Sequence, residues 1–146
     1  ERIQIANKSD ADLTITFDVD RYVNEKANGV ATYFYGSDLH GVHSLVGEKF
    51  ATLVQREICA RTDLLNNRTH AKTWDLLRLT KSPAVVINLG YLTNPKDSQR
   101  INDPAFRDTV AEGLVIAIQR LYLSAEEDAK TGTLRIEDLR KAGIRR

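Results

Sequence analysis

The sequence predicts an α/β layer architecture, a parallel sheet with amphipathic helices packed against it. Three observations lead there. Segments with a two-residue apolar period alternate with segments whose apolar residues recur at three- and four-residue spacing. The run AVVINL, residues 84–89, is apolar toward both faces, as a central strand covered on both sides must be. No internal repeat interrupts this order.

The opening ERIQIANKSD has the pattern of the last turns of a helix, stopped around Asn7 and Ser9. A strand then runs from about Asp12 to Asp18, with Leu13, Ile15 and Phe17 on one side and Thr14, Thr16 and Asp18 on the other. The charged link RYVNEKANG leads to a second strand, VATYFYG, rich in β-branched and aromatic residues. From about Leu39 to Ala60, Val46, Phe50, Leu53, Val54 and Ile58 form one apolar stripe of a helix that covers the sheet. A polar loop, TDLLNNRTHAKT, and the segment WDLLRLT precede the central strand. Asp103 followed by Pro104 starts another helix, because Asp accepts the orphan amides and Pro loses nothing at the first helical position. That helix runs to about Leu123, with Phe106, Val110, Leu114, Ile118 and Leu121 inward and Arg107, Glu112 and Arg120 in water. Residues 124–146 form a mixed-charge tail with at most a short helix ending at Gly143.

Composition narrows the function classes. The 146 residues suffice for one core, and no apolar run approaches the ~20 residues of a membrane span. With 21 basic and 20 acidic residues the net charge is +1, which gives no electrostatic footprint for nucleic acid or an anionic membrane. The single Cys59 lies in the helical run LVQREICAR and is expected to be a small buried hydrophobe, compatible with a reducing cytoplasm. The chain opens on Glu1 and contains no methionine, so its natural start is expected upstream.

Ligands of open α/β sheets gather beyond the carboxyl ends of strands, which makes Asp18 and Asn88 candidate site residues by position. Each has a plainer use: Asp18 can anchor its turn, with Arg21 for company, and Asn88 can satisfy backbone groups before Gly90. His40 and His43 are expected as a surface pair at a helix start, with no third or fourth metal ligand nearby in sequence. His70, Trp74 and Arg78 can line a groove, although Trp74 can equally be core. There is no phosphate loop, dinucleotide fingerprint, HExxH or serine elbow.

Five ordered blocks, IANKSDADLTITFDVD, GVATYFYG, LVGEKFATLVQREI, LLRLTKSPAVVINLGYLTNPKD and FRDTVAEGLVIAIQRLY, together resemble the zinc-dependent N-acetylmuramoyl-L-alanine amidases of the cell wall. The resemblance implies a three-layer sandwich, a mostly parallel sheet flanked by helices, of which residues 1–123 are the C-terminal part. In active members the first block carries a zinc-binding histidine and the fourth a glutamate acting as acid and base; Asp18 and Asn88 hold those two places. The family's other two zinc ligands, a histidine and a glutamate, are expected upstream of Glu1.

The stretches ARTDLLNNRTHAKTWDLLRLTKSP and INLGYLTNPKD and the tail TGTLRIEDL are similar to an actinobacterial subgroup. Its members resemble amidases but regulate peptidoglycan precursor synthesis in the cytoplasm. The similarity implies no cofactor, zinc being lost, and a protein partner, the UDP-N-acetylglucosamine enolpyruvyl transferase. A muropeptide or lipid-linked precursor is a further candidate ligand, in a groove lined by His70, Trp74, Arg78, Tyr91 and Asn94. The chemistry of the two positions points the same way. Asn88 cannot exchange a proton near neutral pH, and loss of a general acid/base costs roughly 100- to 10,000-fold in rate. Two readings stay open beside the regulator: a divergent zinc amidase with Asp18 as a ligand, and a non-catalytic muropeptide-binding module.

Overall fold

The computed structural model describes the backbone of residues 1–130 and the side chains of residues 1–123. The chain runs α1 (Arg2–Lys8), β1 (Thr14–Asp20), β2 (Val30–Ser37), β3 (Val42–His43), α2 (Leu45–Arg61), β4 (Asn66–Lys72), α3 (Asp75–Arg78), β5 (Ala84–Tyr91), α4 (Pro95–Asn102) and α5 (Pro104–Lys130). The strands form one sheet in the order β1-β5-β2-β3, with β4 also paired to β2. The α/β class with helices on a sheet holds, and strand directions are mixed. β1 is parallel to β5 and β4 to β2, whereas β2 runs antiparallel to both β5 and β3. As the apolar run 84–89 requires, β5 is central, lying between β1 and β2.

One face of the sheet carries the main core. Val30 and Phe34 of β2 and Val85 and Ile87 of β5 pack on Phe50, Val54 and Ile58 of α2 and on Val110 and Ala117 of α5. The inward stripes expected on α2 and α5 supply these contacts, with Leu53, Phe106, Leu114, Ile118 and Leu121 partly buried around them. Inside this core, the Gln55 amide donates to the Val30 carbonyl at 2.7 Å and to Asn66 Oδ1 at 2.8 Å, and its Oε1 accepts from Thr32 Oγ1 at 3.0 Å. The polar group is thereby fully paired, as burial demands. Cys59 is partly buried beside that network. On the seam between α2 and α5 the buried Glu57 is paired with Arg61, and Arg120, expected to lie in water, reaches it at 3.2 Å. Burial pushes the Glu57 carboxyl up, but the hydrogen bond from Arg61 and the charges of Arg120, Arg61 and Arg56 outweigh it and hold it below the usual range.

The opposite face is thinly covered. The short α3 sets Leu77 on Ala84 and Val86, with Tyr33, Tyr35 and Leu76 around them, and the rest of that face is polar.

Several element boundaries differ from the sequence expectation, each for a local reason. β1 continues past Asp18 to Asp20, because an irregularity in the β1–β5 ladder lets Asp20 pair with Tyr91. α2 starts at Leu45, not near Leu39: Ser44 caps it by accepting from the Gly47 amide at 3.0 Å, and Gly41 at φ +60° turns the chain before it. His40 and His43 therefore lie in a turn and in β3 rather than on a helix start. Residues 66–72, expected as loop, are β4. Its strand pattern is masked because the segment is exposed and polar, and Arg68 at φ +66° breaks its regular pleat. Asn94 and Pro95 open α4, an element without an apolar stripe to announce it. Asp103 starts α5 as expected, its carboxylate accepting from the Ala105 amide at 3.0 Å, but that helix continues beyond Leu123 to Lys130. The expected short helix ending at Gly143 lies outside the described residues.

Candidate functional site

Asp18 and Asn88 are direct partners in the β1–β5 ladder. They stand on adjacent strands, about 4.8 Å apart at the backbone. Asp18 is exposed, and none of its side-chain atoms takes part in the hydrogen bonds or ion pairs found among the described residues. Asn88 is 7% exposed, and both ends of its amide are used. Its Oδ1 accepts the Gly90 N–H at 3.1 Å, and its Nδ2 donates to Asp20 Oδ2 at 3.3 Å. Asp20 was not anticipated as part of the site. Its only sequence signal was the two-residue alternation, which runs on through Thr14, Thr16, Asp18 and Asp20. The turn after β1 is anchored there too, since the Arg21 amide donates to Asp20 Oδ1 at 2.8 Å.

Beside Asn88 lies a recess of about 360 Å³, lined by Ala31 and Tyr33 of β2, Asn67 and His70 of β4, Tyr91 of β5 and the loop Lys26–Gly29, with Leu65. The loop forms one lip and is tied at several points. The Asn67 side chain donates to the Asn28 carbonyl at 2.7 Å, and the Asn94 side chain to the Glu25 carbonyl at 2.8 Å. Gly29 sits at φ +102° where an added Cβ would run into the Leu65 carbonyl oxygen, so only glycine fits. Behind the recess Asp97 is fully buried, with one oxygen accepting both the Gly29 N–H at 2.9 Å and the Tyr91 N–H at 3.0 Å. Its other oxygen takes Arg100 at 3.0 Å, and Arg100 in turn grips Asp63 through two bonds of 2.8 Å.

The lining is aromatic and amide-rich. The ring centroids of Tyr33 lie 5.7 Å from His70 and 4.7 Å from Trp74, and Lys72 Nζ lies 5.8 Å from the Trp74 ring. Burial pushes the Tyr33 phenol above its ordinary pKa, and Tyr91 and Asp20 push it further. Burial, Asp20 and Asp97 do the same for Tyr91. Both therefore stay neutral hydroxyls around pH 7. His70 Nε2 donates to the Asn67 carbonyl at 2.6 Å. Of the expected groove residues, Tyr91 and His70 line the recess with Asn88, and Trp74 flanks it through Tyr33. The other two stand elsewhere. Arg78 pairs with Asp75 at 2.7 Å and faces a second cavity, and Asn94 caps α4 by accepting from the Lys96 and Asp97 amides. His43 is bound to Glu48 at 2.9 Å.

The described residues do not by themselves make a zinc site. At the ladder position facing Asp18 stands a neutral amide whose oxygen is already occupied, and among the described residues no three His, Cys, Asp or Glu side chains come together. Asn88 itself offers no proton to exchange.

The family model for N-acetylmuramoyl-L-alanine amidase matches residues 1–120. The chain belongs to that family. Among curated amidases, N-acetylmuramoyl-L-alanine amidase CwlM of Mycobacterium tuberculosis is 42% identical over 139 residues, covering 95% of this chain and 34% of that protein. The probable cell wall amidase LytH of Staphylococcus aureus is 32% identical over 119 residues, covering 81% of this chain and 37% of that protein. In three dimensions, the N-acetylmuramoyl-L-alanine amidase of Clostridium difficile 630 superposes with a TM-score of 0.71 at 27% identity, over 84% of this chain and 63% of that one. The chain is thus a partial amidase-family domain, spanning about a third of the length of these two curated relatives.

Proposed function

We propose that this domain no longer hydrolyses the muramoyl–L-Ala amide and works by binding a protein partner, regulating peptidoglycan precursor synthesis in the cytoplasm. The observation that carries this reading is Asn88. A buried amide, held by Gly90 and Asp20, stands where the amidase reaction needs a carboxylate able to take and return a proton. Asp18, in place of the zinc-binding histidine, adds a second fault. The partner proposed is the UDP-N-acetylglucosamine enolpyruvyl transferase, which the actinobacterial resemblance implies. No described helix is long and apolar enough to cross a membrane, which is compatible with action in the cytoplasm.

The recess itself favours a second reading. A pocket of amides and aromatics with Lys26 on its lip, beside the former catalytic position, suits a muropeptide or lipid-linked precursor that is held but not cut. The test uses the full-length protein. It should carry no stoichiometric zinc and release no L-Ala peptides from muropeptides, and it should raise the transferase rate. Robust peptide release overturns the reading in favour of a divergent zinc amidase that uses Asp18. Tight muropeptide binding without any effect on the transferase replaces it with the binding module.

A further inference from the structure

Two recesses flank α3 on the thinly covered face of the sheet. One is the Asn88 recess. The other lies at the far end of β5, where Pro83 and Ala84 meet Tyr35, Leu77 and the first turn of α2, and encloses about 430 Å³. From Ala84 to Asn88 is about 13 Å of strand, so the two are separate.

Their chemistry differs. The second recess has an apolar floor of Leu77, Ala84 and Pro83 and an apolar lip, Leu45 at 72% and Val46 at 46% exposure. Leu79, next to Arg78 in the chain, is a further exposed apolar side chain at 45%. Large apolar side chains grouped in this way at a surface mark contact sites. Two cations stand on its rim. Lys81 forms no ion pair among the described residues, and Arg78 shares only its Nη2 with Asp75, itself 71% exposed. Glu48, close by, is already taken by His43 at 2.9 Å. The Tyr35 hydroxyl, in the wall, has no hydrogen-bond partner among the described residues.

We propose that this second recess docks an extended peptide segment of a protein partner, one that inserts a large apolar side chain and sets carboxylates against Lys81 and Arg78. The exposed Leu45 and Val46 beside the cavity give a protein segment's apolar side chain a surface to pack on, and Lys81, without an ion pair among the described residues, selects for acidity. The proposal rests on the reading of this domain as a partner-binding one and names the surface used.

The probe is a fluorescein-labelled acidic hexapeptide with a central Phe, titrated into the full-length protein by anisotropy. A control peptide has Lys in place of each acidic residue. The acidic peptide should bind, the control should not, and Lys81→Glu and Leu45→Asp should each weaken binding about tenfold or more. Both side chains are exposed, so unchanged melting temperatures separate a lost contact from a lost fold. Equal binding of the two peptides, or binding unaffected by both substitutions, overturns the proposal. Self-association of the unliganded protein that Leu45→Asp abolishes also overturns it, in favour of a second copy as occupant. If Leu45→Asp protein still stimulates the transferase fully, this site fails while the regulatory reading stands. If the acidic peptide binds as described but the transferase is never stimulated, the reading fails and the site stands.

Discussion

The two faces of the central sheet carry different kinds of residue for the same backbone. Toward α2 and α5, β2 and β5 present Val30, Phe34, Val85 and Ile87 to an apolar layer in which Phe50, Val54 and Ile58 are fully buried. One residue along each strand, the other face presents Ala31, Tyr33 and Asn88, and β1 adds Asp18 and Asp20, with only the short α3 over part of it. The period of two thus separates stability from chemistry within a single sheet. Residues of the first face answer to packing density, and those of the second can change while the fold persists. On the proposed reading Asp18 and Asn88 are two such changes, a carboxylate and an amide in places where the family resemblance implies a histidine and a glutamate, and β1 and β5 pair in register.

Substitutions on the two faces should spread over a graded range of stability, and the largest effect belongs to the packed one. Phe50→Ala should cost about 3–5 kcal/mol in chemical denaturation, because it opens a cavity where no neighbour can collapse. A loss below about 1 kcal/mol would show that the α2 layer is not the anchor described. An intermediate loss is expected at the rim joining the two faces. Gly90→Ala should cost about 1–3 kcal/mol, since Gly90 sits at φ +139° and an added Cβ would lie 2.7 Å from Asp97 Oδ2. Thermal melts of Gly90→Ala beside Asp97→Ala would sharpen the point, for both act on the same clamp. The smallest effect belongs to the open face. Trp74→Ala should cost about 0.5–1.5 kcal/mol, the worth of its contact with Tyr33, and a larger loss would mean that this ring is core.

The same division explains what the sequence made legible. The buried face announces itself, because each buried strand or helix residue must be apolar at a fixed period. β1, β2, β5, α2 and the start of α5 follow from that rule and from Asp103–Pro104. β4 and α4 carry no such signal. β4 is exposed and polar and is held by pairing with β2, while α4 depends on the Asn94 cap. Asp18 and Asn88 were visible as strand-end polar residues, and the structure adds that they face each other in one ladder. Asp20, Asn67 and Asp97 were not visible as a set, since their partners lie 68, 39 and 68 residues away in the chain and only the folded backbone brings them together.

Asp97 has a wider consequence. A single carboxylate oxygen fastens the Gly29 lip and the Tyr91 wall of the recess to one another. The join of lip to wall is therefore written into the scaffold without using the side chains at positions 18 and 88. On the proposed reading, a lineage that trades away its reactive groups inherits the mould, and a former hydrolase becomes a receptor.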